Sequence, residues 1–337
     1  MKAALLALSL AGALPSGRGL AEEAPRPAAP APAAPATAAV PGPLLPPAGI
    51  NLAPAVEIAP PVARPGDAIL VTVRGALSEP RATVAGRAIA FWRAGDAWRA
   101  VAPLPVEAAP GPAQAEVSVE GLPPVEAPFT IVDAGFRSTT LTVPSKFIEP
   151  PPDARRRMKE DQKVFDAAWG TPFSPPTFSG PFDWPRRAET SGRYGDLRVY
   201  NGKKEGQHYG LDLTGPVGAP VVASNDGTVA VARDCYMSGR TVVLWHGAGL
   251  FTVYFHLSRI DVKPGQPVRR GDRLGLLGSS GRVTGPHLHW GVKVAGLYVD
   301  PESVLRLDFE KGTAAPPPAP AAELAAPASV MPASAAR

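Results

Sequence analysis

Cysteine is nearly absent from this chain. Cys235 is the single one in 337 residues, so no intrachain disulfide can staple the fold. Aromatic residues are also sparse, at 7%, and histidine is rarer still, with five. Lysine and arginine never gather into a run long enough for a nucleic-acid footprint, and the net charge of +4 is modest. That charge would suit an anionic polymer such as cell wall, along with many other partners. The apolar run Ala3 to Leu14 is too short to span a bilayer comfortably, which argues against a permanent membrane anchor. Because no cysteine follows that run, a lipoprotein anchor is excluded as well.

Proline is abundant, with 43 residues against 34 glycines, and much of it lies in two stretches too poor in apolar side chains to bury a core. The N-terminus combines Lys2, the short apolar run and small residues ending at Gly19-Leu20-Ala21, the pattern of a secretory signal peptide over residues 1–21. Residues 22–48 then read as an extended Pro/Ala linker, and residues 311–337 as a disordered tail of similar composition. These features predict a periplasmic or secreted protein with no stable membrane span after cleavage.

Two candidate folded regions lie between. Over 49–145, short alternating runs are separated by turn signals at Pro65-Gly66, Ala94-Gly95-Asp96 and Pro110-Gly111. Ile69, Val71 and Val73 alternate with Leu70, Thr72 and Arg74, as in a strand with one buried face. Ala115 to Val119 and Phe129 to Val132 repeat the pattern, which suggests a small immunoglobulin-like β-sandwich. With no histidine, it reads as an accessory domain. Residues 146–181 form a connector with the one convincing helix, 153–169, in which Met158, Val164, Phe165 and Ala168 are ringed by charge before Gly170 ends it. From 182 to 310 the chain is again β-rich, with strands expected at 220–223, 227–232, 241–245, 251–255 and 274–277. The fold class is therefore mainly β, with an all-β domain over 182–310.

All five histidines fall between residues 208 and 289. His287-Leu288-His289 places two imidazoles on one side of a strand, because side chains alternate with period two. His208 and Asp212 are four apart on a segment that Gly210 makes unlikely to be helical, so they also share a face. Two histidines, a carboxylate and an open position for water make a known catalytic zinc set. Taken alone, each piece has a plainer meaning: His208 with Asp212 as a surface hydrogen-bonded pair, His287 with His289 as a solvent-facing strand pair, and His256 as a packed core histidine. His246 reads as a structural histidine near a turn, and Cys235 as a small buried hydrophobe.

Together these motifs resemble the lysostaphin-like, LytM-type peptidoglycan endopeptidases. The resemblance rests on His208 to Asp212, on Tyr254-Phe255-His256-Leu257-Ser258, and on Gly278-Ser279-Ser280-Gly281 through Thr284-Gly285-Pro286-His287-Leu288-His289, and covers roughly residues 182–307. It implies a lysostaphin-like catalytic domain of barrel-sandwich type, with one zinc ion per chain held by His208, Asp212 and His289. It implies His256 and His287 as catalytic histidines, and peptidoglycan peptides as substrate. In the expected chemistry His287 takes a proton from the attacking water and His256 donates a hydrogen bond to the oxyanion, with the two roles exchangeable. Residues 171–200 are the expected cover of the groove. The alternatives are a non-catalytic wall-binding activator of another hydrolase, against which the intact ligand set argues, and a different zinc hydrolase such as an amidase or lactonase.

Overall fold

The computed structural model describes residues 53–202 and 204–317. The expected signal peptide, the linker and residues 318–337 of the expected tail lie outside the described residues. The described chain is mainly β, with two α-helices, Pro152–Trp169 and Pro301–Leu305. Among the described residues no helix is long and apolar enough to cross a membrane.

The first half builds two antiparallel-rich sheets. One runs Ala55–Ala59, Ala68–Arg74, Ala97–Pro103 and Trp92–Ala94 in spatial order. The other runs Val62–Ala63, Val125–Ile131, Gly111–Ser118, Arg81–Val84 and Arg87–Ile89. Ile69, Val71 and Val73 from the first sheet share a core with Val84, Val117 and Phe129 from the second.

The strand Ala68–Arg74 departs from the expected one-faced pattern. Its alternate residues Ala68 and Leu70 are also fully buried, in a second core that includes Trp92, Val101, Leu244, Leu250 and Trp290. The first sheet is therefore sandwiched between its partner sheet and the body that follows, and each large side chain fully buried there contributes about 1.5–3 kcal/mol. Polar contacts fix the same seam. The Ala68 amide donates to Ser303 Oγ at 2.9 Å, and Arg306 Nη2 lies 3.3 Å from Asp67 Oδ1.

The second half is organised on one ten-stranded sheet whose main path runs Thr190–Gly192, Leu211–Thr214, His287–Val294, Leu250–Ile260, Gly239–Trp245, Gly227–Cys235 and Pro267–Val268. The strands expected from glycine spacing are present, several of them longer than their apolar cores. Two connections differ from expectation. Ser138–Leu141, within the segment expected to be accessory, pairs in parallel with Leu197–Tyr200 and joins a sheet with Lys204–Gln207. Residues read as the start of the tail are ordered, with Thr313–Ala314 pairing antiparallel to Leu307–Asp308.

The helix forms as its sequence predicts, with Pro152 at its first position and Gly170 as C-cap. It lies against the sheet of the second half. Trp169 meets Phe251 edge-on at 4.9 Å and Phe165 meets Phe255 at 6.3 Å. Asp161, buried on the helix, accepts the amide of Tyr236 at 2.8 Å.

Candidate active site

Strand register places the first three functional side chains. Leu211–Thr214 and His287–Val294 are antiparallel neighbours in which Asp212 sits opposite His289 and Thr214 opposite His287. On its other edge the same strand pairs Phe255 with His289. Gly210 precedes these residues where a side chain could not fit, since an added Cβ would lie 2.7 Å from the His289 ring and 2.6 Å from the Trp290 carbonyl oxygen. The space glycine leaves lets His208 fold in beside His289, with ring centroids 4.9 Å apart.

Three ligand-type atoms converge as a result. His208 Nε2 is 3.1 Å from Asp212 Oδ1, His289 Nδ1 is 3.0 Å from the same oxygen, and the two nitrogens are 3.0 Å apart. Atoms held by a tetrahedral zinc at about 2.0–2.1 Å must sit roughly 3.3 Å from one another, close to this spacing. The protonation pattern points the same way. His208 Nδ1 is 2.6 Å from the Arg193 carbonyl oxygen, which can only accept, so that nitrogen carries the proton and Nε2 presents a lone pair. A lone pair aimed at a carboxylate oxygen and at a second imidazole is an arrangement that a cation between them resolves. His208, Asp212 and His289 therefore fit a divalent metal of zinc type.

The electrostatics agree. Burial works to raise the Asp212 carboxyl, but contact with His208 and His289 holds it well below the usual carboxylate range. Burial pushes the His289 imidazole down to about 4, which keeps it neutral and able to ligate near neutral pH. Phe255 stacks on His289 at 5.2 Å with the rings 11° from parallel, and Phe165 of the long helix backs Phe255. The helix thus supports a ligand ring through one intervening aromatic.

His256 reaches the same groove by a local distortion. It has φ of 63°, in the left-handed region, inside the strand Leu250–Ile260, and the pairing with Arg273–Leu277 shifts register just after it. Strict alternation would send Phe255 and His256 to opposite faces. Instead both line the groove. A non-glycine residue held in this conformation costs of order 1–3 kcal/mol and is a frequent mark of a functional position. His256 Nδ1 donates to the Ser280 carbonyl oxygen at 2.8 Å, and His287 Nδ1 to that of Gly285 at 2.9 Å. Each ring therefore turns an Nε2 lone pair outward. Burial, then the charges of His287 and His289, push His256 down to about 3. His287 Nε2 lies 3.6 Å from Asp212 Oδ1, and the His256 and His287 ring centroids are 5.0 Å apart.

All five residues singled out from the sequence line one groove of about 440 Å³. His246 does not. It is fully buried, its Nδ1 donates to the Asp226 carbonyl oxygen at 2.6 Å, and its Nε2 meets Thr252 Oγ1 at 2.7 Å. Cys235 is buried, and burial raises its thiol to about 11, so it offers no thiolate. Of the expected cover, residues 171–190 do not line the groove; Ser191, Gly192, Asp196, Arg198 and Tyr200 do. Thr139 and Leu141, from the strand borrowed out of the accessory segment, and Val143 just after it line the groove too. Arg198 is the residue the sequence reading missed. Its Nη2 lies 2.5 Å from Asp212 Oδ2, the oxygen not facing the histidines. A single arginine fourteen positions before a carboxylate carries no local signal, because Leu197–Tyr200 and Leu211–Thr214 belong to different sheets that only the tertiary fold brings together.

The profile described as Peptidase family M23 matches residues 206–301, which contain all five site residues. The peptidoglycan DD-endopeptidase ShyA of Vibrio cholerae is 49% identical over 94 residues, 28% of this chain and 22% of that protein. The DD-carboxypeptidase/endopeptidase Mpg of Neisseria gonorrhoeae is 41% identical over 97 residues, 29% of this chain and 22% of that protein. The matched segment thus spans about a fifth of the length of these curated relatives. A crystal structure of a peptidase M23 from Pseudomonas aeruginosa is similar over more of the molecule, with 31% identity and a TM-score of 0.55 over 72% of this chain and 94% of that one. Likeness across nearly the whole of that structure, with the five site residues inside the matched profile, shows that this chain belongs to peptidase family M23.

Proposed function

We propose that this protein is an exported endopeptidase that binds one zinc ion and hydrolyses peptide cross-links of bacterial peptidoglycan, working in the periplasm or outside the cell. The observation that carries the reading is the convergence of His208 Nε2, Asp212 Oδ1 and His289 Nδ1, with two further imidazole lone pairs lining the same groove. The DD-endopeptidase names of the relatives supply the substrate class. The N-terminal apolar run supports export.

When bound by the triad, zinc supplies a polarised carbonyl and a water acidic enough to deprotonate near neutral pH. The protein's own groups do the rest. His287 takes a proton from the attacking water at Nε2, the position its Gly285 hydrogen bond leaves free. Asp212, 3.6 Å away, stabilises the imidazolium that forms. His256 cannot donate from Nε2 in the tautomer that Ser280 holds, and its low basicity keeps that nitrogen unprotonated. We therefore assign it the task of accepting a hydrogen bond and orienting the water, rather than the oxyanion donation expected from sequence. His287 then returns its proton to the leaving amine.

The test is elemental analysis of the purified protein beside Asp212→Ala, followed by mass spectrometry of digested cross-linked muropeptides. About one zinc per wild-type chain, lost in the variant along with cleavage, is the expected result. Zinc-loaded wild-type protein that leaves every cross-link intact would favour the activator reading instead.

A further inference from the structure

The groove carries a cation that the triad does not use. Arg282 lines it together with His256 and His287, and among the described residues it makes no ion pair. The other charges there are committed. Arg198 grips Asp212. Asp196 accepts the Arg137 amide at 3.0 Å and lies 3.9 Å from the Arg137 guanidinium. Arg282 is half-buried, so its charge is partly desolvated without a carboxylate to answer it.

The guanidinium is also held in place. It lies over the Tyr200 ring at 4.5 Å, and the Arg282 amide donates to the Met237 carbonyl oxygen at 2.8 Å. Tyr200 is itself buried in a small core with Val143 and Phe147, backed by Leu141 and Met237. The borrowed strand Ser138–Leu141, paired with Leu197–Tyr200, fixes that wall. A planar guanidinium stacked on an aromatic ring keeps its N–H edge free and pre-oriented for a carboxylate.

We infer that Arg282, on its Tyr200 platform, is a carboxylate-binding subsite that selects peptide substrates carrying a free carboxylate near the scissile bond. The inference rests on the peptidase reading above and names what that groove recognises. Two carboxylates of a cross-linked stem peptide share this chemistry: the chain terminus, and the side-chain carboxylate of a diamino diacid residue.

The test uses the zinc-loaded full chain, its Arg282→Gln and Arg282→Lys variants, and three peptides: one with both carboxylates free, one amidated at the terminus and one amidated at the diamino diacid. Wild-type kcat/KM should fall roughly 10–100-fold, mainly through KM, on one of the amidated peptides, which identifies the carboxylate read. Arg282→Gln should show the same fall on the free peptide and lose its sensitivity to amidation, while Arg282→Lys retains part of it. Equal losses on free and amidated peptides, or none, would overturn the assignment. Calorimetric binding of the same peptides to wild-type protein separates this inference from the activity. A preference for the free carboxylate that Arg282→Gln abolishes supports the subsite even if no bond is cut, and equal binding of all three by wild type rejects it.

Discussion

Arg198 Nη2 sits 2.5 Å from Oδ2 of Asp212, so the carboxylate that meets His208 and His289 with one oxygen is gripped through the other. Gly192 makes room for that grip, since a Cβ there would lie 2.4 Å from Arg198 Nη2 and 2.7 Å from Asp212 Oδ2. Two effects of the arginine oppose each other. Its charge repels a metal cation, while its hydrogen bond fixes which oxygen faces the metal. Outer-sphere partners of this kind are typically worth 10–100-fold in metal affinity, so orientation should win. Arg198→Ala is expected to weaken zinc binding by roughly that factor in a chelator-competition titration. Tighter binding in the variant would show that repulsion dominates.

Gly210 offers a sharper steric test. An added methyl would press on both the His289 ring and the Trp290 carbonyl, each at under 3 Å. The ring could swing aside but the backbone oxygen cannot retreat without disturbing the sheet, so the segment around Gly210, which carries His208 and Asp212, must shift. Gly210→Ala should therefore abolish zinc binding while the far-ultraviolet spectrum stays β-rich. Gly206→Ala is the internal control, because its Cβ would find only a Tyr200 ring carbon, at 3.6 Å. Equal zinc content in the two variants would refute the steric account.

The chemistry was more legible in the sequence than the packing. Residue spacing and motif resemblance named the four histidines and the aspartate that meet in the groove, because period-two alternation and local glycines act over a few positions. His256 shows where that logic stops. Its place in the groove depends on a left-handed backbone turn that pairing beyond the strand imposes, and alternation alone would have turned it away. The long-range seams were hidden for a related reason. Leu70 reads as the solvent face of an alternating strand until a second body covers it, and Ser138–Leu141 reads as the end of one region until its parallel partner is known. Arg198 was hidden in the same way, since its strand and that of Asp212 lie in different sheets.

The buried histidines predict a pH dependence of stability. Burial lowers His246 from 6.5 to about 4, outside the metal triad and with no exposed face. A histidine held neutral in the fold contributes stability that is complete above its unfolded pKa and is lost as pH falls through the window from 6.5 to about 4. The midpoint of thermal unfolding of metal-stripped protein should therefore drop between pH 7 and pH 4. His246→Gln, which keeps polar atoms near Asp226 and Thr252 but does not titrate, should show a shallower fall. A slope unchanged by the substitution would assign the acid sensitivity to other groups.

Ser303 tests whether the two halves of the molecule unfold together. Its hydroxyl donates to the Asp300 carbonyl oxygen and accepts the amide of Ala68, linking the short helix Pro301–Leu305 to the first sheet. Both ends are buried, so Ser303→Ala leaves the Ala68 amide without a partner, at a cost of about 1–3 kcal/mol. If the seam were a loose contact, that loss would lower only a transition of the N-terminal sheets. Yet Leu70 and Val101 share one core with Leu244 and Trp290, so neither half can open without exposing apolar surface of the other. Calorimetry should accordingly show one cooperative transition in the wild type and one, at lower temperature, in Ser303→Ala. Two separated transitions in the variant would mean that this hydrogen bond, rather than the shared core, is what couples the halves.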